Sequence, residues 1–138
     1  MNSFTYIERL PSVPDYNRLR AAVGWSIYDE AVIAAFLPNT LYCICALDGD
    51  EAIGMARVIG DGGLVFYIQD VIVLPDYQRR GIGTHMMDHV MAYSAAHAHH
   101  NTIIGLMSAY GKEAFYEKYQ FVRRPTERFG AGMTRFWR

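Results

Sequence analysis

Tyr67-Ile68-Gln69-Asp70-Val71-Ile72-Val73-Leu74-Pro75-Asp76-Tyr77-Gln78-Arg79-Arg80-Gly81-Ile82-Gly83-Thr84 is the stretch whose reading decides the fold. A β-branched, apolar run ends at Pro75, a short polar turn follows, and a Gln-Arg-Arg-Gly-Ile-Gly segment opens a long pattern of helical period. This predicts a strand, a loop and a helix start in immediate succession. The first amides of a helix have no intrahelical acceptors and sit at the positive end of the helix dipole, so they suit phosphate oxygens. Gly81 and Gly83 let a ligand come close to that backbone, and Arg79 and Arg80 add positive charge beside it.

Outward from this stretch, the chain reads as a mixed α/β domain. Phe4 to Leu10 is expected as a first strand closed by Pro11. Ser12 is placed to cap a helix with Pro14 and Asp15 in its first turn, which Gly24 stops. Ser26, with Asp29 three residues on, is expected to cap a second helix ending at Phe36. The runs 41–47 and 52–59, joined by Asp48-Gly49-Asp50-Glu51, read as a hairpin, and Asp61-Gly62-Gly63 turns the chain into the strand ending at Val73. Met86, Met87, Val90, Met91 and Ala95 give the following helix an apolar face. A fifth strand over 103–108, a short helix over 112–119 and a last strand over 133–137 complete the expectation.

The whole 138-residue chain, 51% hydrophobic and 20% charged, is expected to form one domain over 1–138. A formal net charge of -1 offers no general attraction to nucleic acid or an anionic membrane, so any positive site must be local. No apolar run approaches the roughly 20 residues of a membrane helix, and no basic-then-apolar leader opens the chain. Cys43 and Cys45, two apart on one strand, share a face and read as reduced core thiols, in keeping with a cytoplasmic location. His85 and His89 have the i, i+4 spacing of metal ligands but no accompanying third ligand, and no metal is expected. His97, His99 and His100 read as solvated groups at a helix end.

Gln78-Arg79-Arg80-Gly81-Ile82-Gly83 resembles the acetyl-coenzyme A binding pattern (Gln or Arg)-x-x-Gly-x-(Gly or Ala) of the GNAT superfamily of acetyltransferases. Phe115-Tyr116-Glu117-Lys118-Tyr119-Gln120-Phe121 resembles that family's Phe-Tyr-x-x-x-Gly-Phe segment, with Gln120 standing where the glycine is usual. The resemblance spans about residues 40 to 125. It implies the GNAT acyl-CoA N-acyltransferase fold, a mostly antiparallel sheet of six to seven strands flanked by about four helices. It also implies acetyl-CoA as cosubstrate, bound by the backbone of Val71, Ile72 and Val73 along the pantetheine arm and by Gln78, Arg79, Arg80, Gly81, Ile82, Gly83 and Thr84 at the pyrophosphate, with Lys112 a candidate for the 3′-phosphate.

Tyr116 corresponds to the family's acid, which protonates the departing thiolate. An amide near Val71 corresponds to the oxyanion donor, provided the strand bulges there. Asp70 is a candidate base or else a structural carboxylate, and Glu30 is another carboxylate option for the base. Gln69 faces the other way in a regular strand but can reach the acceptor if the strand bulges. The two-helix region forms one wall of the acceptor site in the family, which makes Trp25, Tyr28 and Glu30 candidates for substrate contact. The expected activity is transfer of acetyl to a primary amine of a small molecule by direct attack in a ternary complex, since Cys43 and Cys45 lie on another strand with no histidine signal beside them. A protein lysine or N-terminus as acceptor, and a coenzyme A sensing module without turnover, are the alternatives; the latter has no need of Tyr116. A homodimer is possible. A dinucleotide loop fails on spacing, because its third glycine falls on Met86.

Overall fold

The computed structural model describes residues 3–138. The chain divides into two compact units, residues 1–106 and 107–138. The first unit carries β1 (Thr5–Glu8), α1 (Val13–Ala22), α2 (Glu30–Phe36), β2 (Tyr42–Asp48), β3 (Glu51–Gly60), β4 (Val65–Val73), α3 (Ile82–His97) and β5 (Ile103–Gly105). Its sheet runs β1-β2-β3-β4-β5, antiparallel throughout except for the parallel β4–β5 pair.

Local chemistry accounts for the elements. Ser12 accepts the Asp15 amide at 3.2 Å and Pro14 sits in the first turn, so α1 starts where the sequence predicts. It ends in a Schellman closure: Gly24, at φ 81, donates to the Ala21 carbonyl, and Trp25 donates to that of Arg20. Asp61 accepts the amides of Gly63, Leu64 and Val65 at 2.8–3.0 Å, which fixes the turn into β4 and holds its carboxyl below the usual range.

On one face of the sheet Tyr16, Leu19, Ile33 and Leu37 of the α1–α2 region pack on Cys43, Cys45, Leu47, Ala52, Met55 and Ile72. On the other face α3 lies against β2, β3 and β4 and buries Ile82, Met86, Met87, Val90 and Ser94. Gly54 permits that approach, because a Cβ there would stand 2.9 Å from the Ile72 carbonyl and 3.2 Å from Met86 Cε. Cys43 and Cys45 are free and buried, and the hydrogen bond between the two thiols raises the pKa of Cys43 and lowers that of Cys45. Among the described residues no helix is long and apolar enough to cross a membrane.

The second unit contains α4 (Glu113–Glu117). Several expectations are corrected. Among the described residues the sheet has five strands, not six or seven, because 133–137 forms none; Met133, Phe136 and Trp137 are 88%, 73% and 83% exposed. A strand needs a neighbour to satisfy its amides and carbonyls, and among the described residues this segment has no ladder partner. β5 stops at Gly105 instead of 108, and α4 is shorter than 112–119 at both ends. Asp29, not Ser26, occupies the N-cap position of α2, without a side-chain cap, and the Ser26 carbonyl instead accepts Arg20 Nε at 2.7 Å.

Candidate functional site

The centre of β4 is irregular in a way that organises everything around it. Met55 pairs with Ile72 and Arg57 with Gln69, so one residue of β3 spans two of β4, Asp70 and Val71. This is a β-bulge, and Asp70 holds it with φ 57, a left-handed conformation that Asp tolerates better than most residues. The extra residue resets the alternation of the strand. Phe66 lies on the α3 face, with its ring 6.1 Å from that of Tyr93, whereas Ile72 packs among Tyr16, Leu19 and Met55 on the opposite face. Without the bulge these two β4 residues would share a face.

The Asp70 side chain therefore enters the α1 side, where it is fully buried. Its Oδ1 accepts Arg20 Nη1 at 2.5 Å, and its Oδ2 accepts Tyr16 Oη at 2.6 Å and Arg57 Nε at 3.0 Å. Gln69 Nε2 stands 3.4 Å from Oδ1, so the bulge brings Gln69 and Asp70 to one side together. Arg57 Nη1 also donates to Thr40 Oγ1 at 2.7 Å. Burial, followed by the hydrogen bond to Asp70, pushes the Tyr16 phenol up to about 12. The carboxylate is thus committed on both oxygens to α1 and β3.

Aromatic rings surround the two arginines. The Arg20 guanidinium carbon lies 5.8, 5.5 and 5.3 Å from the ring centres of Tyr16, Trp25 and Tyr28, and that of Arg57 lies 5.5 and 5.7 Å from Tyr16 and Phe36. Trp25 is half-buried and Tyr28 exposed, so these rings carry the cluster out to the surface. Asn17 secures Tyr28 from α1, donating to its carbonyl at 2.7 Å and accepting its amide at 3.1 Å. Glu30 is exposed at the first position of α2.

Beyond the bulge, β4 leads into the glycine segment. β5 pairs with β4 only at 65–67, so from Ile68 onward β3 is the ladder partner recorded for β4. The half-buried Val71 and Val73 flank buried Ile72 in this stretch. Gln78 Nε2 donates to the Val73 carbonyl at 3.0 Å and ties the loop back to the strand end. Arg79 and Gly81 both take positive φ, 66 and 81, with exposed Arg80 between them. The first α3 ladder bond recorded from the cap runs from the His85 amide to the Gly81 carbonyl, and no side chain caps this end. The amides of Ile82 and Gly83 open the first turn, where an α-helix has no intrahelical acceptors. A Cβ on Gly81 would meet nothing within 4 Å, so the approach to this turn is open. That donor set and open space fit a pyrophosphate.

In the second unit, Tyr116 is half-buried on α4, and burial pushes its phenol up to about 12. Lys112 is exposed at the N-cap position of the same helix. Gln120 adopts φ 71, the left-handed geometry for which glycine is usual, while Gln120 and Phe121 donate to the carbonyls of Glu117 and Tyr116. Among the described residues no group of three His, Cys, Asp or Glu side chains converges as metal ligands do.

Comparison with known sequences decides what this arrangement belongs to. The model of the acetyltransferase (GNAT) family matches residues 5–121. The chain is a member of the GNAT acetyltransferases. A probable acetyltransferase from meticillin-resistant Staphylococcus aureus is 34% identical, with 98% of this chain and 100% of that one covered and a TM-score of 0.89. A GNAT family protein from Streptococcus pneumoniae is 30% identical, with 99% of each chain covered and a TM-score of 0.77. An aminoglycoside N-acetyltransferase in complex with CoA shares the fold at 14% identity, with 100% of this chain and 95% of that one covered and a TM-score of 0.69. No curated protein matches the sequence. The GNAT chain is accordingly an acyltransferase.

Sequence reasoning missed Tyr16, Arg20 and Arg57 as members of the site. The signal was present: Arg57 stands alone in the apolar run Ala52 to Ile59, and Arg20 follows Leu19 on the buried side of α1. A cation buried in such a run calls for a counter-charge, and Asp70 is the acid that supplies it.

Proposed function

We propose that this GNAT enzyme transfers acetyl from acetyl-CoA to a primary amine of a small molecule by direct attack in a ternary complex. The observation that carries the reading is the continuous run from the β4 bulge, through a strand half without a β5 partner, to the open first turn of α3. The released strand half offers backbone groups of Val71, Ile72 and Val73 to the amides of a pantetheine arm, as an added strand would. The first turn of α3, with Arg79 and Arg80 beside it, receives the pyrophosphate, and Lys112 is assigned to the 3′-phosphate.

The acceptor nitrogen loses its proton to water and attacks the thioester carbonyl. A backbone amide at the bulge, near Val71, stabilises the oxyanion, the C–S bond breaks, and Tyr116 gives its proton to the leaving sulfur. With a phenol pKa of about 12, Tyr116 is protonated across the neutral range, which supports its assignment as the acid. Asp70 is assigned to positioning instead of proton abstraction. Both of its oxygens are taken by two guanidiniums and a phenol, and they hold the bulge against the α1 wall that carries Trp25 and Tyr28. Glu30 and Gln69 are assigned to the acceptor side.

The test is steady-state release of free CoA from acetyl-CoA against a panel of amines, for wild type and Tyr116→Phe, with coenzyme affinity measured separately. Turnover on a defined amine that falls in kcat by roughly 10²–10⁴-fold in the variant, at unchanged coenzyme affinity, is the expected result. Coenzyme binding with no amine turned over would leave a sensing module, and loss of coenzyme binding would overturn the reading of 78–84.

A further inference from the structure

The acceptor wall holds more positive charge than it neutralises. Arg20 and Arg57 bring two guanidiniums and Asp70 one carboxylate, and Asp70 is the acid recorded in ion pairs with either arginine. Tyr16, Thr40 and Gln69, the other polar side chains of the cluster, are neutral. The two arginine side chains are only 9% and 6% exposed, so water does little to screen the surplus. The other charges on the packed elements are engaged elsewhere or lie outside. Asp15 and Glu51 both pair with Arg18, and Asp29 and Glu30 are exposed at the start of α2. Aromatic faces at 5.3–5.8 Å delocalise part of the charge but carry none of the opposite sign.

The cluster meets the surface through its aromatic rings. The rings of Trp25 and Tyr28, one half-buried and the other 46% exposed, lie over the Arg20 guanidinium, and half-buried Gln69 stands beside Asp70 on the same side. A ligand entering between these rings meets a guanidinium edge flanked by π faces and an amide. That combination suits an oxyanion attached to an apolar body. An ammonium directed at the same place meets the surplus charge and is repelled.

We infer that the acceptor of this enzyme carries an oxyanion, a carboxylate or a phosphate, beside its amine, and that Arg20 at the Trp25–Tyr28 wall receives it, with Arg57 adding its charge from the far side of Asp70. The inference rests on the transferase reading for its amine but not for its anion. Arg20 and Arg57 are specificity groups here, while the reacting nitrogen is handled at β4.

Two measurements on the wild-type protein separate the possibilities. The first compares kcat/KM at low salt within matched sets: phenylalanine, phenylalaninamide and phenethylamine for the carboxylate, and phosphoethanolamine and ethanolamine for the phosphate. The anionic member of at least one set is expected to be favoured by roughly 10-fold or more, with an advantage that shrinks as salt is added. The set that shows the preference identifies the oxyanion. The second follows the Trp25 indole N–H by NMR, in the presence of CoA, during titration with succinate, succinamide or inorganic phosphate. Turnover with neutral members equal to or better than anionic ones overturns the inference while leaving the transferase intact. A Trp25 shift with succinate or phosphate but not succinamide, without turnover of any amine, keeps the anion site and defeats the transferase reading. Absence of preference in both measurements overturns it outright.

Discussion

Replacing Asp70 by Asn separates a clamp from a base. The side chain is fully buried and receives Tyr16 at 2.6 Å, Arg20 at 2.5 Å and Arg57 at 3.0 Å. Asn keeps the shape but removes the charge, so two buried guanidiniums lose their counter-ion at once. Breaking a buried ion pair from one side costs about 3–5 kcal/mol. That is a large part of the roughly 5–15 kcal/mol by which domains are stable. For a chain of this length it corresponds to a fall in Tm of about 10–15 °C. Calorimetry or a circular dichroism melt reads the fall, and kcat measured well below the new Tm reads the chemistry. A clamp predicts the large Tm loss together with recovery of part of it in the double variant Asp70→Asn, Arg20→Gln, because the second change removes an orphaned charge. Tm within about 2 °C of wild type together with abolished kcat would refute the clamp and restore Asp70 as the base.

Other outcomes follow from single residues. The phenols of Tyr16 and Tyr116 lie at about 12 against an ordinary value near 10. Their raised values favour the protonated, folded form, so this stabilisation is complete below about pH 10 and lost as pH rises through 12; a Tyr16→Phe variant will show a flatter alkaline limb in pH-dependent unfolding. Gln120→Gly relieves a side chain held at φ 71 and will raise stability by up to about 1 kcal/mol in urea unfolding. Gly60→Ala places a Cβ 2.0 Å from the Val65 carbonyl at φ 146 and will cost at least about 2 kcal/mol, read by the same assay.

Most of the first unit was legible because its signals are local. Ser12 with Pro14 and Asp15, the Asp48 to Glu51 hairpin and the Asp61 turn each carry their own chemistry, and the structure has each where the sequence places it. The glycine segment likewise opens α3, with Gly81 at its cap, as its sequence predicts. What the sequence did not show depends on pairs far apart in the chain. The Asp70 cluster joins positions 16, 20, 57 and 70, and the bulge that forms it leaves no mark in composition beyond a polar residue inside a β-branched run. The expected strand at 133–137 failed for a related reason, since strand propensity is realised only where a neighbour completes the ladder.

The bulge also changes how this strand must be compared with those of relatives. Before Asp70 the even-numbered positions of β4 answer to α3, as Phe66 does; after it they answer to α1, as Ile72 does. Asp70 therefore behaves as an inserted letter between two words with opposite reading frames. Loss of Asp70 alone would restore regular pairing and leave Phe66 and Ile72 on their opposite faces, five positions apart, so a relative lacking the insertion would keep this core with every later position shifted by one and without the buried carboxylate.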